Sequence, residues 1–329
     1  MRTVPHGTCT SGPEAPFAIP TPNLHTPVGT PPHPVVTTNG MSKITLHRAT
    51  AAAVLTLTTV LTGPASAAQV APRAQTLKVM TFNTWHGGNR VDDGITKIAN
   101  EITKAGADVV ALQEYDADSA QRIADRLGWY TTATGTHVDI VSRFPFEKQD
   151  RTGTGNGVIA AKIKGFWVYS VHFDYTKYGP YNACWDNDSY PTIYADEANR
   201  GKQAKEVVTW AGSSPAIVAG DFNSPSHLDW TADTKAAHCN SVVEWPATKA
   251  FWDGGYWDSY REVHPDEAAQ PGNTWSPVVK STDGRPEPQD RIDFIQYKGG
   301  TLDAVASTTV GGGADWPSDH LAVLTTFTY

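Results

Sequence analysis

Side chains able to hold a hard cation or face a phosphate recur in this sequence at one kind of place, where an apolar run stops. Ile217-Val218-Ala219-Gly220 gives way to Asp221-Phe222-Asn223. A carboxylate beside a carboxamide is an oxygen-rich pair suited to a divalent metal or a phosphate. Strand alternation would put Asp221 and Asn223 on one side and Phe222 on the other. Asn83 closes the run that starts at Leu77, Glu114 closes Val109 to Gln113, and His172 closes Phe166 to Val171. Asp319 and His320 stand just before the last apolar run, and Asp293 lies inside a strand-like one. A buried carboxylate is costly unless it is paired or metal-bound. Several in one chain point to a built site, although each has an ordinary reading. Gly-Asp and Asn form turns. His172 also fits a satisfied core histidine. Asp293 also fits an ion pair with Arg291, two residues away on the same strand face.

These residues need strands and helices to position them. Leu77 to Asn83 largely alternates and reads as the first strand, followed by a loop at Thr84–Gly88. Ile95, Ile98, Ala99 and Ile102 recur at helical spacing, and Gly106 stops that helix. Strands are expected over Val109–Gln113, Val138–Ser142, Val158–Ile163, Phe166–Val171, Ile217–Gly220, Arg291–Tyr297, Leu302–Thr308 and Leu321–Phe327. Lys164-Gly165 is the turn between two of them. Helices are expected over Ser119–Leu127 and Ala195–Trp210. Between His172 and the second of these lies a segment with neither period. It carries Tyr175, Tyr178, Tyr181, Trp185, Tyr190 and Tyr194 among Gly, Pro, Asn and Asp, and reads as a long aromatic loop.

The first 40 residues are rich in Pro, Thr and Gly and cannot bury enough surface to offset chain entropy. From Met41, a basic start with Lys43, His47 and Arg48 precedes the apolar run Ala49–Leu61 and the small residues Ala65-Ser66-Ala67. That is the pattern of a secretory signal peptide, too short and threonine-rich for a stable membrane span. Residues 1–40 then read as an extension, 41–67 as the signal and 68–329 as one domain. Cleavage after Ala67 leaves 262 residues, with 23 Lys and Arg against 33 Asp and Glu, a net of −10. Such a surface does not concentrate polyanions by itself. Cys9 falls in the discarded part, and Cys184 and Cys239 remain, an even pair expected to form a disulfide in an oxidising compartment.

Seven pieces, in order, carry a resemblance. They are Thr81-Phe82-Asn83, Leu112-Gln113-Glu114, Ser142-Arg143-Phe144-Pro145, Val171-His172, Gly220-Asp221-Phe222-Asn223, Arg291-Ile292-Asp293 and Ser318-Asp319-His320. Together they resemble the endonuclease/exonuclease/phosphatase superfamily, which includes deoxyribonuclease I-like and neutral sphingomyelinase-like enzymes. The resemblance implies an α/β four-layered sandwich, two packed mixed sheets flanked by helices. It also implies hydrolysis of a phosphoester with Mg²⁺, or Mn²⁺ or another divalent ion. Glu114 resembles the principal metal ligand, helped by Asn83 and Asp319. Asp221 and Asn223 resemble the residues that orient the attacking water. His320 and His172 resemble the phosphate-facing histidines, and Asp293 the acid that orients His320.

Three readings follow from there. The first is a secreted hydrolase of a small or lipid-derived phosphoester, monomeric, with Tyr178, Tyr181, Trp185 and Tyr190 either around its substrate or only packing their segment onto the scaffold. The acidity and the aromatic segment, which holds only one lysine, Lys177, favour it. The second is a secreted deoxyribonuclease I-like endonuclease, for which no basic run that would track a DNA backbone is evident. The third is a binding module on the same fold without turnover.

Overall fold

The computed structural model describes residues 74–116, 118–132, 136–151, 153 and 157–329. The extension and signal readings for 1–40 and 41–67 lie outside the described residues.

Two six-stranded mixed sheets form the centre. The first has the order β13 (Asp303–Val310), β14 (Ala322–Thr328), β1 (Thr76–Asn83), β2 (Val109–Gln113), β4 (Val138–Ser142), β3 (Tyr130–Thr131). The second has the order β5 (Lys148–Asp150), β6 (Val158–Ile163), β7 (Phe166–His172), β8 (Ala216–Asp221), β12 (Asp293–Lys298), β9 (Trp257–Asp258). A separate hairpin pairs β10 (Ser281–Thr282) with β11 (Arg285–Pro286). Only β1–β2 and β7–β8 run parallel; the remaining pairs are antiparallel.

Alternation decides which residues meet between the sheets. Leu77 and Val79 of β1, Val109 and Ala111 of β2, Val168 of β7, Ile217 and Ala219 of β8 and Ile295 of β12 share one buried cluster. The intervening residues of β1 and β2 face α1 (Gly94–Ala105) and α2 (Ser119–Leu127): Met80, Phe82, Val110 and Leu112 pack with Ile98, Ile102 and Ile123. On the far side, Val218, Tyr169 and Phe294 pack against Ala204 and Val207 of α4 (Tyr190–Ala211) and Phe251 of α5 (Pro246–Asp253). The result is the expected α/β sandwich of two mixed sheets flanked by helices. Gly220 is required where β7 and β8 run side by side, since a Cβ there would stand 2.0 Å from the Val171 carbonyl oxygen. Among the described residues no helix is long and apolar enough to cross a membrane.

The aromatic segment is more regular than its composition implies. A helical turn, α3 (Gly179–Tyr181), runs into a π-helical turn at Asn182–Asp186. The next helix, α4, begins at Tyr190 rather than Ala195. Its first turn holds Pro191, which a first turn accepts because that N–H has no intrahelical partner anyway. Cys184 and Cys239 are bonded across a separation of 55 residues, a restriction of the unfolded chain worth about 4 kcal/mol in the loop-entropy picture.

The alternative pairing of Asp293 with Arg291 is not formed. Strand β12 starts at Asp293, so Arg291 precedes it and shares no strand face. Arg291 is instead buried between Asp229 and Asp258, with hydrogen bonds of 2.7–2.9 Å to both carboxylates. Arg261 adds a second guanidinium to Asp229 at 2.8 Å. Asp258 also caps α6 (Ser259–Val263), accepting from the backbone of Tyr260 and Arg261. Removing one partner of such a cluster strands a buried charge, at a cost of about 3–5 kcal/mol. Arg291→Met should therefore lower the unfolding free energy measured by urea titration by an amount in that range. A loss below about 1 kcal/mol would show that the two carboxylates find other compensation.

Candidate active site

The face between the two sheets changes character along the strands. Leu77 and Val79 are followed on the same face of β1 by Thr81 and Asn83, and Val109 and Ala111 of β2 by Gln113. On β7, Val168 is followed by Ser170 and His172; on β8, Ile217 and Ala219 are followed by Asp221. Strand β12 runs the other way and enters at Asp293, register-paired with Asp221. Every one of these strands turns polar at the same end of the sandwich. Hydrogen bonds link the sheets there: Gln113 Nε2 donates to Ser170 Oγ at 3.1 Å, and Asn83 Nδ2 to Asp221 Oδ2 at 3.0 Å.

Asp221 and Asp293 are both buried, and His320 stands between them. Its Nδ1 lies 2.9 Å from Asp293 Oδ2, and its Nε2 lies 3.8 Å from Asp221 Oδ2. Burial works against the charged imidazole, but the carboxylates of Asp293 and Asp221 outweigh it and push His320 up to about 10. Burial, reinforced by the charge of Asp293, pushes Asp221 up to about 7. The His320 backbone is held from both sides. Its N–H donates to Ser318 Oγ, whose hydroxyl donates to the Asn83 carbonyl at 2.7 Å. Trp275 is bridged to His320 in the backbone and places its ring 4.8 Å from the imidazole. Thr274 Oγ1 accepts from the Ile292 and Asp293 amides at 3.1 Å, so one short segment fixes both halves of the pair.

Glu114 and His172 form the outer half of the cluster. Glu114 follows β2 with a positive φ of 56°, a backbone costing about 1–2 kcal/mol for a side chain of this kind. Its Oε1 lies 3.8 Å from His172 Nε2, which in turn is 3.7 Å from Asp221 Oδ2. Burial pushes His172 down to about 4 despite Glu114, so its imidazole is neutral at pH 7. For Glu114, burial is outweighed by His172, His320, the Asn83 amide and His86, which hold the carboxylate below its usual range. Asn223 lies past the end of β8 with φ 50°, so strand alternation stops at Asp221. Its amide N–H donates to Asp221 Oδ1 and its side chain to the Phe173 carbonyl at 3.1 Å.

The donor set fits a divalent cation. Ligand atoms of Glu114, His172 and Asp221 lie within 4.8 Å of one another, as do those of Asp221, Asp293 and His320. Buried atoms without partners accumulate here: His172 Nε2, Asp293 Oδ1 and Asp319 Oδ1. Burial and the Glu114 charge push Asp319 up, which a neighbouring cation would reverse. Asn83 Oδ1 already accepts from the Trp85 amide at 3.1 Å.

A cavity of about 720 Å³ opens onto Glu114 and His172, with His86, His137, Asp174, Tyr175 and Lys202 in its walls. The four aromatics expected around the substrate do not reach it. Tyr178 is buried with its hydroxyl on Asp290, Tyr181 bonds Glu287 and stacks on Trp185 at 3.7 Å, and Tyr190 is half exposed at the start of α4. Tyr178, Tyr181 and Trp185 pack a folded turn onto the scaffold, the two hydroxyls on buried carboxylates and Trp185 Nε1 on the Pro286 carbonyl at 2.9 Å. Phe173 and Tyr175, one and three residues past His172, line the cavity instead. His86 and His137 sit in loops with no strand-end pattern, so spacing gave no sign of them.

The Endonuclease/Exonuclease/phosphatase family model matches residues 80–320. An uncharacterized protein of Caenorhabditis elegans is 37% identical over 290 residues, covering 77% of this chain and 91% of that protein. Among solved structures, a 3' phosphatase from Neisseria bound to a product DNA hairpin is 22% identical with a TM-score of 0.52, covering 77% of this chain and all of that one. A humanized TDP2 of D. rerio is 17% identical with a TM-score of 0.51, covering 77% and 99%. At these identities the two structures speak for the fold alone. The family match runs from β1 through His320, across all of the converging strand ends, and this protein belongs to the endonuclease/exonuclease/phosphatase family.

Proposed function

We propose that this chain is a divalent-metal-dependent phosphoester hydrolase that acts by direct attack of an activated water. The observation that carries the reading is His320, charged between Asp293 and Asp221, beside a Glu114–His172 pair with unpartnered donor atoms. Glu114 holds the cation, with Asn83 and Asp319 completing its oxygen-rich surroundings. Hard carboxylate and carboxamide oxygens favour Mg²⁺ or Mn²⁺. Once bound, such an ion neutralises charge that develops on the phosphoryl group.

The protein's own residues supply the rest. His320 donates from Nε2 to a non-bridging phosphoryl oxygen, and Asp293 fixes its ring through Nδ1. Asp221 orients the attacking water and takes its proton as the water oxygen bonds phosphorus; the P–O ester bond breaks, and the leaving oxygen departs as an alcohol protonated from solvent. Asn223 braces that carboxylate through its backbone N–H. Neutral His172 faces the phosphate from the cavity side.

The substrate we favour is a small or lipid-derived phosphoester. The cavity walls carry Glu114, Asp174 and Glu206 against one lysine, Lys202, a poor surface for neutralising a run of phosphates. We further propose that the protein is exported through the 41–67 signal and acts outside the cell as a monomer; the Cys184–Cys239 bond supports an oxidising compartment. A deoxyribonuclease I-like nuclease is the second reading, since the family name covers both activities.

Two measurements test this. A panel of plasmid DNA, RNA, a glycerophosphodiester, a phospholipid and a generic phosphomonoester, with and without EDTA, should show turnover that chelation abolishes and Mg²⁺ or Mn²⁺ restores. Glu114→Ala should abolish that turnover with little change in stability. Full activity after exhaustive chelation refutes the metal. If kcat/KM on plasmid exceeds that on the small esters more than about tenfold, roughly 1.4 kcal/mol of transition-state preference, the nuclease reading replaces ours.

The second concerns the buried pair. His320→Ala should lower kcat by about 10²–10⁴ and Asp293→Asn by less, both in folded protein. The double variant should fall short of the summed losses by about 0.5–3 kcal/mol. Additive losses would mean that Asp293 does not act through His320.

A further inference from the structure

Away from the Glu114 cavity, a second cavity of about 620 Å³ lies beside the disulfide. Its charged lining residues are Asp233, Glu267, Glu287 and Asp290, all acidic, and no lysine or arginine lines it. Much of the remaining wall is proline and alanine. A cluster of acids alone says little. Here the hydrogen bonds behind the acids are specific.

Asp290 and Glu287 are both at least nine-tenths buried. Four aromatic donors occupy three of their four carboxylate oxygens. Trp230 Nε1 donates to Asp290 Oδ1 at 2.9 Å and the Tyr178 hydroxyl to Oδ2 at 2.8 Å. On Glu287, the Tyr181 hydroxyl at 2.7 Å and Trp275 Nε1 at 2.8 Å both donate to Oε1. Glu287 Oε2 is left buried with no partner. Nδ1 of His238, another lining residue, is also unpartnered. A carboxylate fixed by two donors on one oxygen and bare on the other is set to accept a hydrogen bond from whatever enters.

The wall also narrows what enters. The Trp185 ring is stacked by Tyr181 at 3.7 Å and overlain by the Arg285 guanidinium at 4.3 Å. The Trp230 ring is stacked by His238 at 4.6 Å and met edge-on by Trp245 at 4.8 Å. With the rings so occupied, the cavity is not an aromatic cage for a quaternary ammonium, which also has no N–H to give Glu287. A metal ion wants several converging oxygens, and both oxygens of Asp290 are already bonded. A neutral or anionic guest would meet four acids. We propose that this cavity binds an organic cation carrying N–H donors on an apolar body, a protonated amine whose ammonium bonds Glu287 Oε2 while its body lies against the prolines.

Isothermal titration calorimetry of the full chain with benzylammonium, benzyltrimethylammonium and benzyl alcohol, in a buffer free of phosphoester, tests this independently of the hydrolase reading. Benzylammonium should bind saturably and about tenfold or more tighter than the other two. Glu287→Gln keeps an acceptor for Tyr181 and Trp275 but replaces the charge, and should weaken benzylammonium binding by at least about tenfold. If that variant does not fold, Glu267→Gln with Asp233→Asn at the more exposed part of the wall should weaken binding by about threefold at low salt and less at high salt. Nα-acetyl-lysine methylamide, as a further arm, separates a peptide-borne ammonium from a free small amine by which of the two binds tighter. Equal affinity for benzylammonium and benzyl alcohol, absence of saturable binding, or unchanged affinity in the folded variants overturns the proposal.

Discussion

Two buried carboxylates on neighbouring strands set the terms for everything around them. Asp221 and Asp293 face each other in register on β8 and β12 with almost no access to water. Like charges so placed repel, and burial strengthens the repulsion. His320 answers both, contacting one carboxylate through each ring nitrogen. The arrangement holds only if the segment before β14 stays in place. Trp275, Thr274 and Ser318 fix that segment by hydrogen bonds to its backbone and to the strand ends it faces.

That cluster sits where it does because the sandwich cannot be apolar along its whole length. Each central strand places alternate residues between the sheets. Toward one end those residues change from Val, Ile and Ala to Thr, Gln, Ser and Asn, and finally to charge. The polar layer is knitted across the sheets, Thr81 to Gln113 to Ser170, and Asn83 to Asp221. A network with its members satisfied in this way can be buried without large loss, whereas a single unpaired member would be costly. Within this layer, unpartnered buried atoms are left on His172, Asp293 and Asp319, where the chemistry is proposed.

A second buried polar system lies behind the first and supports the entry to β12. Asp290 and Arg291 lie three and two residues before that strand. One is held by Tyr178 and Trp230, the other by Asp229 and Asp258. Trp275 touches both systems, its ring against His320 and its Nε1 on Glu287. The aromatic turn between β7 and α4 therefore buttresses the site from a distance, without reaching the cavity at Glu114. Its disulfide partner, Cys239, ties the same turn to the segment after Asp229.

The strand ends were legible in the sequence because alternation and the cost of a buried charge are local rules. Asn83, Glu114, His172 and Asp221 could be singled out as polar residues closing apolar runs, His320 as one just before the last run and Asp293 as a charge inside a strand-like one. Their family pattern then implied the sandwich that the sheets form. Helices α1 and α2 and the Lys164-Gly165 turn followed from spacing and from glycine's tolerance of positive φ. Partners were not legible. Arg291 and Asp293 are two residues apart, yet their carboxylate and guanidinium contacts come from residues 27 to 62 positions away. The aromatic segment misled for the same reason. Tyr178 and Tyr181 have no period of their own, and only the approach of Asp290 and Glu287, more than a hundred residues later, turned them inward. Local pattern fixes which way a side chain leaves its strand. What it meets there depends on chain segments brought together only by the packing of the two sheets.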